Sequence, residues 1–102
     1  MNRTKLSPSE IEARLSALNA TIPSPWTLID GQLQKTFEFP DFNAAFGFMT
    51  RCALAAEAMD HHPSWCNSYR RVHITLSTHD VAGITELDFV LATRVEAIAK
   101  AT

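Results

Sequence analysis

Cysteine is scarce in this chain: its 102 residues include two, Cys52 and Cys66, and neither belongs to a series of spaced cysteines such as staples small secreted domains. Both are read as reduced thiols in the ordinary role of small, buried apolar side chains. Surplus positive charge is lacking too. Nine Lys and Arg against eleven Asp and Glu give a formal net charge of -2, so no global positive field exists to hold a phosphate backbone, and direct nucleic-acid binding is not expected. No apolar run approaches the length of a bilayer span. The polar opening residues and Lys5 are not followed by an apolar signal core, which predicts a cytoplasmic protein without a membrane partner. Three glycines and no low-complexity tract argue against a disordered or fibrous chain.

What is present is an ordinary globular composition, 46% hydrophobic and 20% charged. That length has room for one domain, residues 1–102, around one core, so a site must lie on its surface or between subunits. Ser7-Pro8-Ser9-Glu10 forms a capping box with proline at the first helical position, and Ile11, Leu15 and Leu18 follow at helical spacing. Pro23 and Pro25 bound that helix. From Trp26 to Phe39 the apolar period is two, with Trp26 and Leu28 before Asp30-Gly31 and Leu33, Phe37 and Phe39 after it, the pattern of a β-hairpin.

Asp41 is placed to cap a second helix, in which Phe42, Phe46, Met49, Ala53 and Ala56 trace one apolar face as far as Met59 or Asp60. His61-His62-Pro63 then forces a corner, because the residue before a proline is held away from helical geometry. Strands are expected over Trp65–Tyr69 and Val72–Ser77, the latter with Val72, Ile74 and Leu76 facing the core. Thr85 and Asp88 supply a second capping box, with Leu87, Leu91, Val95 and Ile98 behind it. The predicted architecture is α+β, a four-stranded antiparallel sheet with three helices packed on one face, in the order α-β-β-α-β-β-α. A single helical layer leaves a sheet face or an edge strand bare, which predicts a homo-oligomer.

All four histidines, His61, His62, His73 and His79, fall between the second and third helices. Imidazole titrates near neutral pH, so one can donate a proton while another accepts one. Glu57, Asp60, Asp80 and Asp88 stand around them. Glu57 precedes His61 by four residues, which would put both side chains on one face of a helix that persists to its last turn. His79 lies just past a strand end, and the two imidazoles would flank one pocket if the sheet brings that loop beside the His61 corner. His73, inside the strand, is read as structural. Plain alternatives exist for the others: a solvated helix face for Glu57, a helix cap for Asp88, core packing for Trp26 and Trp65. Zinc is disfavoured, since neither a His-Glu-x-x-His spacing nor paired cysteines are present, and nothing around Cys66 signals a nucleophile.

The run Glu57-Ala58-Met59-Asp60-His61-His62-Pro63-Ser64-Trp65-Cys66-Asn67-Ser68-Tyr69, continued by Val72-His73-Ile74-Thr75-Leu76-Ser77-Thr78-His79-Asp80 and then Asp88, closely resembles the pterin-4a-carbinolamine dehydratases. The resemblance extends more loosely through Trp26, the Phe37–Phe46 segment and the last helix. It implies the same α+β fold, a homodimer or homotetramer, and no metal or organic cofactor. The implied reaction is dehydration of the 4a-hydroxytetrahydropterin left by an aromatic amino acid hydroxylase, the implied partner, to quinonoid dihydropterin and water. By position, His61 and His79 would be the acid–base pair and His62 would orient the ring. Glu57, Asp60, Pro63, Thr78, Asp80 and Asp88 would form or support the pocket, with Trp26 at its edge. Leu87 stands where animal members often carry a basic residue, so the network around Asp88 need not be identical. Animal relatives also act as dimerisation cofactors of a transcription factor, and a non-catalytic pterin-binding or interaction module is the alternative the resemblance carries.

Overall fold

A computed structural model describes residues 3–102. Helix α1 (Pro8–Asn19) begins at Ser7, whose hydroxyl accepts from the Glu10 amide while the Glu10 carboxylate accepts from the Ser7 amide. The Ser7 amide donating to the Glu10 carboxylate, helped by the Ser7 side chain and more weakly by Arg14, holds that carboxyl below its ordinary range. The side chain of Asn19 then brackets the backbone of Trp26, accepting from its amide at 2.9 Å and donating to its carbonyl at 3.0 Å, which fixes the approach to the sheet. Strands β1 (Thr27–Ile29) and β2 (Gln32–Glu38) meet at a two-residue turn. Asp30 and Gly31 there have φ of 52° and 74°, both in the left-handed region that a tight hairpin turn of this hand demands.

Helix α2 (Phe42–Met59) is capped by the Asp41 carboxylate and leads to β3 (Ser64–Ser68) and β4 (Arg71–Leu76). A short 3₁₀ turn (His79–Val81), which the periodicity did not suggest, precedes α3 (Glu86–Lys100). The four strands form one antiparallel sheet in the order β1-β2-β4-β3, as expected of the α+β arrangement. Leu33, Phe37, Val72, Ile74 and Leu76 face the helices and are buried. The opposite sheet face is polar: Thr36 and Gln34 of β2 hydrogen-bond the two ring nitrogens of His73 at 2.8 and 3.0 Å, which is the structural role expected of that histidine.

Three expectations are corrected. The core face of α2 is Ala45, Phe48, Cys52 and Ala56, whereas Phe42 and Phe46 are 45% and 54% exposed and Ala53 also faces out. This helix is apolar over most of its circumference, so periodicity alone leaves its rotation open. Leu28 is half-exposed because β1 is a three-residue edge strand. Cys66 is exposed on β3, unlike Cys52.

A buried ion pair crosses the core. Lys35 occupies a core-facing position of β2 between Leu33 and Phe37; its ammonium donates to Glu96 Oε2 of α3 at 2.5 Å and to the Ser24 carbonyl at 2.7 Å. Trp26 Nε1 donates to the same carboxylate oxygen at 2.9 Å. Removing one partner strands the other charge, so Glu96→Ala should cost about 3–5 kcal/mol in urea unfolding, and Lys35→Met with Glu96→Leu should recover most of it. An unchanged midpoint for the single variant would show that the pair carries no stability. Burial also pushes the Cys52 thiol up to about 12, with Arg51 opposing. A thiol reagent at mildly alkaline pH should therefore label Cys66 alone in the native protein and both cysteines in denaturant.

Candidate active site at the histidine corner

The corner is built by the end of α2. Asp60 takes the left-handed conformation, with φ 51° and ψ 44°. Its amide donates to Glu57 O and the His61 amide to Ala56 O, the paired closing bonds of a Schellman motif. A short polar side chain tolerates this conformation better than most non-glycine residues, which is why aspartate can stand there. The reversal sends the side chains of the adjacent histidines in opposite directions: His61 is 5% exposed, and His62 projects outward.

His61 reaches Asp88, the third residue of α3. Its Nε2 lies 2.7 Å from Asp88 Oδ1, and the carboxylate is fully buried. The other oxygen, Oδ2, accepts from Thr78 Oγ1 at 2.9 Å and from the Thr85 amide at 3.0 Å. Thr78 commits its proton to the carboxylate, so the 2.8 Å bond between the two threonine hydroxyls must run from Thr85 to Thr78. Thr85 Oγ1 in turn accepts from the Leu87 amide. Leu87 itself is buried, and the network closes without a basic residue at that position. Because an ionised carboxylate only accepts, His61 Nε2 must carry a proton and Nδ1 is left as the working nitrogen. Among the described residues no buried side-chain nitrogen or oxygen lacks a partner, and Nδ1 has none, so Nδ1 reaches the surface.

Asp88 thus joins three elements: the end of α2 through His61, the end of β4 through Thr78, and the start of α3 through its own cap. Thr78 directly precedes His79, which is exposed in the 3₁₀ turn, so the same carboxylate sets both histidine-bearing segments side by side. Arg3 spans them from outside, donating to the Asp60 carbonyl at 3.1 Å and to Asp80 Oδ2 at 3.5 Å. Glu57 Oε1 lies 2.8 Å from His62 Nε2; it does not meet His61, because α2 ends at Met59 before the expected one-face pairing can form.

The expected site residues therefore divide. His61 is joined to Asp88 and through it to Thr78, all three of them buried, while the exposed His62 pairs with Glu57 and Arg3 links Asp60 to Asp80 beside the exposed His79; Pro63 is partly buried at the corner. Trp26 is elsewhere: its ring is 1% exposed, packs edge-on against Phe37, and donates to Glu96, two helical turns along α3 from Asp88. Thr85 and Arg3 were not anticipated; the capping box around Thr85 was legible, but its hydroxyl relay was not. The Asn67-x-Tyr69 element proves to be a turn brace: Asn67 Nδ2 donates to the carbonyls of Tyr69 and Arg71, and Tyr69 has φ 53°. No three His, Cys, Asp or Glu side chains are grouped to hold a metal among the described residues. No helix among them is long and apolar enough to cross a membrane.

A four-stranded antiparallel sheet backed by three helices, with a buried aspartate bonded to the nearly buried His61 next to the segment that bears His79, defines an α+β scaffold with a candidate site at its histidine corner. The family model for pterin 4 alpha carbinolamine dehydratase matches residues 4–98, and the chain belongs to that family. A provisionally named pterin-4-alpha-carbinolamine dehydratase of Solibacter usitatus is 51% identical over 96 residues, 94% of this chain and 96% of that one. The crystal structure of a transcriptional coactivator/pterin dehydratase from Brucella melitensis superposes with a TM-score of 0.86 at 44% identity, covering 94% of this chain and 99% of that one. A pterin dehydratase-like protein described as a RuBisCO assembly factor in the alpha-carboxysome superposes with a TM-score of 0.64 at 26% identity, covering 72% and 88%.

The hydrogen-bond directions are testable directly. In wild-type protein, ring ¹⁵N spectra of neutral His61 should show the proton on Nε2. Asp88→Asn offers an amide N–H to that nitrogen and should move the proton to Nδ1, while costing about 1–3 kcal/mol of stability. An unchanged tautomer in the variant would mean that Asp88 does not set it.

Proposed function

We propose that this protein dehydrates a 4a-hydroxytetrahydropterin by histidine acid–base catalysis and so supports tetrahydropterin recycling for aromatic amino acid hydroxylation. The observation that carries the reading is the His61–Asp88 pair, with its Nδ1 at the surface beside the segment bearing His79. In the reaction the C4a–O bond breaks, the hydroxyl leaves as water with a proton from an acid, and N5 gives up its proton to a base as the C4a–N5 double bond forms. Two imidazoles bordering one surface suit those two transfers, each worth about 10²–10⁴-fold when well positioned. Asp88 holds the His61 ring in one tautomer and stabilises its cation. His62, supported by Glu57, orients the ring, and Asp60, Pro63 and Asp80 border the pocket. Neither proton transfer calls for a metal or an organic cofactor. The protein acts in the cytoplasm as a homo-oligomer.

The second reading, an interaction module without catalysis, draws on the exposed Phe42, Phe46 and Leu54 of α2 and on the RuBisCO-assembly role of the carboxysome relative. Following the decay of enzymatically generated 4a-hydroxytetrahydropterin by ultraviolet absorbance separates the two. Fast, chelator-insensitive decay that falls about 10²-fold or more in both His61→Ala and His79→Ala supports the dehydratase. No acceleration by folded wild-type protein would leave the interaction module standing.

A further inference from the structure

A groove of about 1140 Å³ opens between α1, β2 and α3, and neither His61, His62 nor His79 is part of its lining. It runs along α3 from Phe89, the residue after the buried Asp88, to Lys100, whose end of the groove lies roughly 18 Å from Asp88 at 1.5 Å per residue. Its walls are largely apolar, with Leu18 and Ile22 on one side and Phe37 and Phe89 on the other. At about 1140 Å³ the groove is far larger than a packing void and has room for a small molecule.

The charges around it point to the ligand. Both acids in the lining are already neutralised: Glu96 by Lys35 at 2.5 Å, and Glu38 by Arg70 at 3.1 Å with Arg71 at 3.9 Å. The two remaining cations, Arg14 of α1 and Lys100 of α3, have no carboxylate within ion-pair distance among the described residues. Arg14 is felt only at longer range by Glu10, one turn earlier, and Lys100 complements the dipole at the end of α3. An apolar trough with two uncommitted cations at its rim is complementary to a molecule with an apolar body and an anionic head.

We propose that this groove is a second ligand site, separate from the histidine corner, that takes an amphipathic anion such as a medium-chain carboxylate. Arg14 and Lys100 receive the head group and the Leu18, Ile22, Phe37 and Phe89 walls receive the chain. The site depends on the Lys35–Glu96 pair only indirectly, since that pair removes from the trough a negative charge that would repel the ligand.

Dodecanoate tests it, measured by displacement of anilinonaphthalene sulfonate fluorescence and by the rise in Tm of the full chain. Dodecanoate should bind about tenfold more tightly than dodecanol, and Arg14→Glu with Lys100→Glu should remove that advantage. Ala97→Trp, at a position on the groove wall, should abolish binding while leaving the unliganded Tm near wild type. His61→Ala should bind dodecanoate as wild type does. Equal affinity for the neutral alcohol, binding that survives Ala97→Trp, or competition by 7,8-dihydropterin would each overturn the proposal. So would a change in oligomer mass on Ala97→Trp, which would make the groove a subunit contact.

Discussion

The structure turns on a carboxylate with no access to water. Asp88 is fully buried, and an ionised side chain in that position is tolerable only when its lone pairs are met by good donors. It finds three, an imidazole, a hydroxyl and an amide, each from a different stretch of chain. The demand runs both ways. If α2 ended one residue later, or β4 one residue earlier, a donor would be missing and the charge would be stranded. The position of the histidine corner is therefore set by the solvation of one acid as much as by the packing of the sheet.

That arrangement gives the site a rigid half and an open half. His61 has one nitrogen committed to Asp88 and the other without a partner among the described residues, so the ring is held in one orientation. His62 and His79 are exposed, the former held by an exposed glutamate and the latter by backbone placement in a short turn. α3 repeats the same device eight residues later, where Glu96 is nearly buried and accepts from Lys35 and Trp26. One helix thus anchors the α2 corner and strand end near its start and the first hairpin near its end.

The exterior of α2 has a different character. Phe42 and Phe46 stack with centroids 5.5 Å apart on the outside of the helix, and Leu54 lies further along, 68% exposed. This apolar surface lies outside the Ala45, Phe48, Cys52 and Ala56 face that α2 turns to the core. It is consistent with a family whose structurally similar members are described as an assembly factor and a coactivator as well as a dehydratase.

Much of this was open to reading in the residues alone, and the reason is local. Capping boxes, the Asp30-Gly31 turn, the proline that ends α2 and the alternation in β4 depend on neighbours within a few positions, so the order of elements and the identity of the histidine corner follow from the chain itself. The family resemblance likewise rests on a contiguous motif. What needed the tertiary structure was every contact between distant segments: that Asp88 serves His61 and not only its own helix cap, that Glu57 meets His62, that Trp26 belongs to the Glu96 network, and which side of α2 is inside. Helix rotation could not be inferred where apolar residues surround the axis. Lys35, an ordinary polar interruption in the alternation of β2, shows its meaning only when the fold brings Glu96 across from α3, because a buried charge is interpretable only together with its partner.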